Sequence, residues 1–252
     1  MNEKYELGKE MYLKGKSINK ISKELKISRS RFSIYLKQQD IKVNAMPHKK
    51  NIQENIFDVI DTEEKAYRLG FLYADGCVGN NGRTDIGLGL AIKDLCHIKK
   101  FKNFLKWNGK IYTDDIKCRI SFKNKHMHNS LVELGCVPKK SLILKFPSED
   151  KLPKNLQRHF IRGYFDGDGC FCNTEKTFEI SIIGTQDMLE NICKISNINK
   201  QRIYSLNTKS KEVKRISFGK KELIDNFLEF IYLDSTIYLD RKYQKYINYK
   251  NN

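Results

Sequence analysis

Acidic residues are in short supply: the 252-residue chain holds 30 Asp and Glu against 47 Lys and Arg, a formal charge of +17. An excess of that size is out of place in an ordinary soluble metabolic enzyme and points to a polyanionic partner. No apolar run approaches the ~20 residues that span a bilayer, and Met1 to Lys16 is broken by charge throughout. Neither a membrane anchor nor a signal peptide is therefore expected. None of the seven cysteines forms a C-x-x-C pair, which fits a reduced, intracellular setting, cytoplasmic or nucleoid. Cys170-Phe171-Cys172 and His126-Met127-His128 lack the spacing and the second ligand pair of the common zinc sites. Histidine is also scarce, five in all, and none is placed by sequence as an obvious general base. Core-forming material is present: 40% of residues are hydrophobic, with 14 Phe and 13 Tyr, enough for a compact body and a small accessory domain.

Residues 1–44 read as a separate helical unit. Leu7, Met11, Ile18, Ile21, Leu25, Ile27, Phe32 and Leu36 fall at helical spacing around breaks at Gly15-Lys16-Ser17 and Lys26-Ile27-Ser28. Ser17 and Ser28 are each placed to cap a following helix. The order helix, helix, tight turn, helix resembles a resolvase-like helix-turn-helix, with Arg29, Ser30, Arg31 and Ser33 at the start of its third helix as DNA-contacting candidates. Lys26 stands where such turns often carry Gly, which predicts a looser turn. Residues 45–60, with Pro47, His48, Lys49 and Lys50 in a row, read as a basic linker tracking phosphate.

The remainder is a tandem repeat. Arg68-Leu69-Gly70-Phe71-Leu72-Tyr73-Ala74-Asp75-Gly76 and Ile161-Arg162-Gly163-Tyr164-Phe165-Asp166-Gly167-Asp168-Gly169 are versions of one helix ending in Asp-Gly. Gly70 and Gly163, Asp75 and Asp168, and Asp94 and Asp187 are each 93 residues apart, and Arg119-Ile120-Ser121-Phe122 returns verbatim as Arg215-Ile216-Ser217-Phe218 at an offset of 96. Small residues four apart, Gly70 with Ala74 and Gly163 with Gly167, lie on one helical face and let two backbones approach. Paired helices would bring Asp75 and Asp168 together at two negative dipole ends, an arrangement that asks for a divalent cation between them. Each half predicts helix, two strands, helix, two strands, helix. The expected body is therefore α+β, two pseudo-symmetric αββαββα repeats over residues 61–146 and 147–252 joined through the motif helices.

Over about residues 61–250 these motifs resemble those of the LAGLIDADG homing endonucleases of the single-chain, two-repeat type. The downstream pieces agree: Lys93-Asp94 and Gln186-Asp187 after a strand, Gly135-Cys136-Val137-Pro138-Lys139-Lys140-Ser141, and Leu239-Asp240-Arg241-Lys242-Tyr243 near the end. The chain departs at Arg68, Leu69 and Tyr73, the last standing where many members carry an acid. The resemblance implies a monomeric DNA endonuclease that cuts both strands of a long, pseudo-palindromic duplex across the minor groove with Mg²⁺, for which Mn²⁺ can substitute. It implies metal binding by Asp75 and Asp168 with the main-chain carbonyls of Ala74 and Gly167. Lys140 and Lys242 match the basic residues that border the scissile phosphates, with Lys139 and Arg241 as neighbouring alternatives. Lys93 and Gln186 match a polar residue that organises the attacking water. The same fold also serves RNA maturases that assist group I introns, and a non-cleaving DNA-binding regulator is a further alternative.

Phosphodiester hydrolysis asks for these residue types on its own terms: an activated water, neutralised phosphoryl oxygens and a stabilised leaving oxygen, which cations between carboxylates supply. Hard oxygen donors select Mg²⁺ or Mn²⁺, and lysines stabilise developing charge while keeping clustered acids ionised. Lys117, Arg119, Ser121 and Lys123 alternate with Cys118, Ile120 and Phe122, so this strand shows one basic, polar face. Arg215 and Ser217 repeat the pattern in the second half. Such a ribbon fits a major groove, where Arg to guanine is the commonest specific contact.

Overall fold

The computed structural model describes residues 2–41, 43, 51–173, 178–198, 203–206 and 212–251, and they divide into two units, Met1–Lys50 and Asn51–Asn252. In the first, helices α1 (Asn2–Leu13), α2 (Ile18–Glu24) and α3 (Arg29–Gln38) close on one another. Ile21, Phe32 and Leu36 form the buried centre, whereas Leu7, placed on the apolar face by spacing, is half exposed. Ser17 caps α2 by accepting from Lys20 N at 3.4 Å. Ser28 occupies the cap position of α3 without a side-chain cap bond; its hydroxyl pairs with Ser30 Oγ at 3.1 Å instead. The α2–α3 turn is tight despite the absence of glycine. Lys26 takes a left-handed conformation, φ +52°, and Ile27 N donates to Ser22 O at 3.1 Å, which closes a Schellman motif.

The reading of residues 45–60 as linker needs correction. Residues 44–50, with Pro47, His48, Lys49 and Lys50, lie outside the described residues. Residues 51–60 belong to the second unit: Ile56, Phe57 and Ile60 are buried in its core, and Gln53 N donates to Leu105 O at 2.9 Å. Three apolar side chains spaced along a short irregular segment give no periodicity to read, yet their burial pins the segment down.

The second unit is the predicted double repeat. The first half runs α4 (Glu63–Asp75), β1 (Gly76–Val78), β2 (Asp85–Ala91), α5 (Leu95–Phe104), β3 (Tyr112–Thr113), β4 (Lys117–Lys123) and α6 (Lys125–Glu133). The second runs α7 (Lys154–Asp168), β5 (Gly169–Asn173), β6 (Phe178–Gly184), α8 (Gln186–Ile195), β7 (Tyr204–Ser205), β8 (Lys214–Phe218) and α9 (Lys221–Tyr232), with α10 (Asp240–Lys250) after it. Two antiparallel four-stranded sheets result, ordered β1-β2-β4-β3 and β5-β6-β8-β7. Each buries one face, as the strict alternation along β4 requires: Cys118, Ile120 and Phe122 in the core and Lys117, Arg119, Ser121 and Lys123 out.

α4 and α7 pack along one another at the centre. A Cβ at Gly70 would overlap the carbonyl oxygen of Phe160, and one at Gly163 the carbonyl oxygen of Tyr67, so backbone lies against backbone at two equivalent points. These helices also bury charge. Arg68 bonds His97 and Glu64; Arg162 donates to Glu63 at 2.6 Å and to the carbonyls of Ile231 and Ile237, both at 2.8 Å. The bonds that Arg162 gives up to water are largely replaced, whereas Arg68 keeps a buried Nε with no partner among the described residues.

Candidate metal centre and nucleic-acid interface

Asp75 and Asp168 are the last residues of α4 and α7, and each helix passes directly into a strand at Gly76 and Gly169. Gly167 lies against Ala74, and a Cβ placed on it would be 3.3 Å from Asp75 Oδ2. The carboxylate of Asp75 thus reaches the residue preceding Asp168. Both acids titrate high. Burial raises the Asp75 carboxyl, against the pull of Lys242, Lys140 and Arg241. Burial and then the charge of Asp75 push Asp168 up to about 6, against Lys140 and Lys242. Burial is the larger cause at both, and at Asp168 the like charge of Asp75 adds to it.

Two lysines face this pair, one from each half, and bond equivalent atoms. Lys140 Nζ, in a 3-10 turn over Lys140–Leu142, donates to Ala74 O at 3.3 Å and to Gly76 O. Lys242 Nζ, in the first turn of α10, donates to Gly167 O at 3.4 Å, Gly169 O at 2.5 Å and Phe165 O at 2.6 Å. Ala74 and Gly167, like Gly76 and Gly169, are related by the same 93-residue offset as the acids. Burial lowers the Lys242 ammonium to about 8. The neighbouring candidates stand elsewhere: Lys139 is exposed, and Arg241 Nε donates to both oxygens of Asp94, at 2.9 and 3.0 Å.

Lys93 and Gln186 are not joined to this cluster. Lys93 is exposed in a 3-10 turn over Ile92–Asp94; Gln186, the first residue of α8, is exposed and donates to Glu190 Oε1 at 2.6 Å. The second strands of the two halves also differ in register. Gly76 pairs with Leu88, but Gly169 pairs with Ile182, so the second strands are related by 94 residues rather than 93, and only β2 is followed by a 3-10 turn. Asp94, one position on from Lys93, is buried and held by Arg241, and its charge adds to the rise at Asp75 after the opposing charges of Lys242, Lys140 and Arg241. An offset read from the motif alone could not reveal the slip.

The donor set suits a hard divalent cation. Two carboxylates and the carbonyls of Ala74 and Gly167 are all oxygens, and among the described residues no group of three or more His, Cys, Asp or Glu gathers that could hold a metal. Carbonyl and water oxygens would have to complete the shell, and the bonds that Ala74 O and Gly167 O accept from lysine are long, 3.3 and 3.4 Å.

No protein-family model matches the chain, and no curated protein sequence matches it either. Solved structures do. The I-SmaMI LAGLIDADG homing endonuclease bound to cleaved DNA matches with a TM-score of 0.51 at 13% identity, covering 77% of this chain and 89% of that one. The I-LtrWI LAGLIDADG homing endonuclease bound to target DNA matches at 16% identity and a TM-score of 0.49, covering 79% and 89%. The fold is that of the LAGLIDADG homing endonucleases.

Within this LAGLIDADG fold, the outer faces of the two sheets carry the strand candidates. Lys117, Arg119, Ser121 and Lys123 all project to solvent from β4. On β8, Arg215 and Ser217 are only half exposed: Arg215 Nη2 lies 3.9 Å from Cys172 Sγ, and Ser217 Oγ accepts from Tyr204 OH at 2.9 Å. Tyr112 pairs across the strands with Arg119, whose guanidinium lies 5.8 Å from its ring centre, and Tyr204 pairs with Arg215. These two exposed tyrosines were not legible as a pair, because Tyr112 precedes its Arg by seven residues and Tyr204 by eleven. In the N-terminal unit, Arg29, Ser30 and Arg31 are exposed on α3 and Ser33 is half-buried beside Phe32.

Proposed function

We propose that the chain is a site-specific DNA endonuclease that uses Mg²⁺, with Mn²⁺ able to replace it, to cut both strands of a long pseudo-palindromic duplex. One observation carries the reading: two acids related by the repeat end the paired helices, and a lysine from each half bonds equivalent backbone carbonyls beside them. A two-fold site fits a two-stranded substrate whose scissile phosphates are themselves related by approximate two-fold symmetry. The charge of +17 supplies the sequence-independent attraction to the duplex.

Asp75, Asp168 and the carbonyls of Ala74 and Gly167 would hold the cation, which when bound supplies Lewis-acid neutralisation of the phosphoryl oxygens and acidifies a water. The protein's own groups do the rest. Lys140 and Lys242 bring positive charge to either side of the acids; at neutral pH Lys242, with its ammonium near 8, is charged and available to stabilise charge that develops on phosphate. The same lysines oppose the mutual repulsion of Asp75 and Asp168. Arg119, Lys117 and Lys123 are free to reach base edges and phosphates from β4, and Arg29, Ser30 and Arg31 to do so from α3.

The test is cleavage of duplex DNA in Mg²⁺ by the wild-type chain, Asp75→Asn and Asp168→Asn. Loss of cutting in both variants with duplex binding retained supports the reading. Binding without cutting in any metal by the wild-type chain overturns it and transfers attention to intron RNA or to regulation.

A further inference from the structure

Tyr73 and Asp166 occupy the same place in the two motif helices, 93 residues apart, and both are buried, yet one is a neutral phenol and the other a carboxylate. We infer that they are positioning residues, each fixing the chain segment that carries the lysine of its own half, Tyr73 that of Lys140 and Asp166 that of Lys242. The inference rests on the endonuclease reading and adds that cutting of the two strands is supported by different chemistry.

Asp166 has no exposed surface. Its Oδ1 accepts from Tyr232 OH at 2.6 Å, and its Oδ2 from Tyr67 OH at 2.7 Å and from Leu239 N at 2.7 Å. Those donors come from α9, from α4 and from the residue preceding α10. Leu239 is the cap residue of α10, and its carbonyl accepts from Lys242 N at 2.9 Å. One carboxylate therefore ties down the first turn of the helix that carries Lys242, whose Nζ returns to Phe165 O and Gly167 O on either side of Asp166. A charged acceptor is suited to this place because three donors converge on it.

Position 73 demands the opposite polarity. Tyr73 OH donates to Leu134 O at 2.5 Å, at the end of α6 and immediately before Gly135, whose φ of +99° turns the chain toward Lys140. A carboxylate here would face a carbonyl oxygen with no proton between them, so the acid of the second motif could not be repeated in the first. Cys136, buried next in line, donates its Sγ–H to Leu72 O at 3.7 Å and tightens the same junction. One neutral bond six residues from its lysine, and three bonds to a charge of which one comes from Leu239, three residues from its lysine, are unequal supports.

The experiment uses the full chain and a cleavable duplex labelled on either strand, with single-turnover nicking followed separately for each. Asp166→Asn is expected to slow one strand on the order of tenfold, the scale of a sub-ångström misplacement of a catalytic group, leaving duplex binding intact. Tyr73→Phe is expected to slow the opposite strand by less. Tyr232→Phe, which deletes one donor and keeps the charge, should slow the same strand as Asp166→Asn and carries the comparison should that variant fail to fold. In the protein without metal or DNA, the Leu239 amide should exchange faster in Asp166→Asn than in wild type and unchanged in Tyr73→Phe. Equal slowing of both strands, or slowing of one and the same strand by Tyr73→Phe and the Asp166 or Tyr232 variants, overturns the inference while leaving the endonuclease reading standing. A wild-type chain that cuts neither strand overturns the endonuclease reading; the Leu239 amide then decides alone, and undiminished protection in Asp166→Asn overturns the positioning role as well.

Discussion

Asp168 keeps its proton up to about pH 6, whereas the same group in an unfolded chain releases it near 3.9. Between those values the fold holds a proton that the unfolded chain has lost, so the metal-free protein loses stability as pH rises through this window and the loss is complete above it. Asp168→Asn abolishes the effect. It is expected to raise the metal-free thermal midpoint at pH 8, by the equivalent of about 1 kcal/mol once solvent screening is allowed for, since Asp168 is exposed on one side while its carboxyl is enclosed on the other, and to change it little at pH 4. A midpoint that rises equally at both values would count against the electrostatic account. Asp75, Asp168, Lys140 and Lys242 were legible because the motif names them by type and spacing, and elementary electrostatics demands cations beside paired acids. Lys93 and Gln186 were carried over by position alone, and both stand exposed just after the second strands, where a one-residue shift between the halves leaves no mark in an offset that holds on both sides of it. The buried Arg68 was legible only as a departure from the motif and Arg162 was not singled out; their partners, Glu64 and Glu63, lie at the start of α4, where acids also read as ordinary first-turn residues.

At the scale of elements, the paired helices depend on two points where backbone meets backbone. Gly163→Ala is expected to destabilise the fold by about 3 kcal/mol, since its Cβ would meet the Tyr67 carbonyl rather than a side chain that can move. Gly70→Ala should cost as much against Phe160, and Ala74→Gly far less. Denaturant unfolding monitored by far-UV circular dichroism checks this, and a Gly163→Ala midpoint equal to wild type would mean that the helices do not touch there. In the N-terminal unit the α2–α3 turn makes the converse prediction. Lys26 pays for a left-handed backbone, so Lys26→Gly is expected to stabilise that unit by about 1 kcal/mol, read as a higher midpoint of its unfolding transition. The elements themselves were largely legible, because alternation along β4 and the repeated helix speak in two clear periods. The segment over residues 51–60 was not, since isolated buried side chains such as Phe57 follow no period and are recognised only by what they pack against.

The whole molecule combines a small helical unit with a two-fold body, and the two should leave separable marks on DNA. If the exposed Arg29, Ser30 and Arg31 engage the duplex, the footprint of the full chain will exceed that of a chain beginning at Asn51 on one flank only. Identical footprints would remove the N-terminal unit from recognition. Lys117→Ala and Lys123→Ala are expected to weaken binding with a smaller salt slope, by about one released counterion for each phosphate left unneutralised, while Arg119→Ala should relax choice at a base position. The central claim is that the convergence of Asp75 and Asp168 is a centre that cuts two strands. Its most direct test is selection of cleaved molecules from a randomised duplex library in Mg²⁺, with both cut positions sequenced. The account predicts a single long motif of approximate two-fold symmetry whose two strands are cut at a fixed stagger. Recovery of bound but uncut duplex in Mg²⁺ and in Mn²⁺, or cuts confined to one strand, would contradict it.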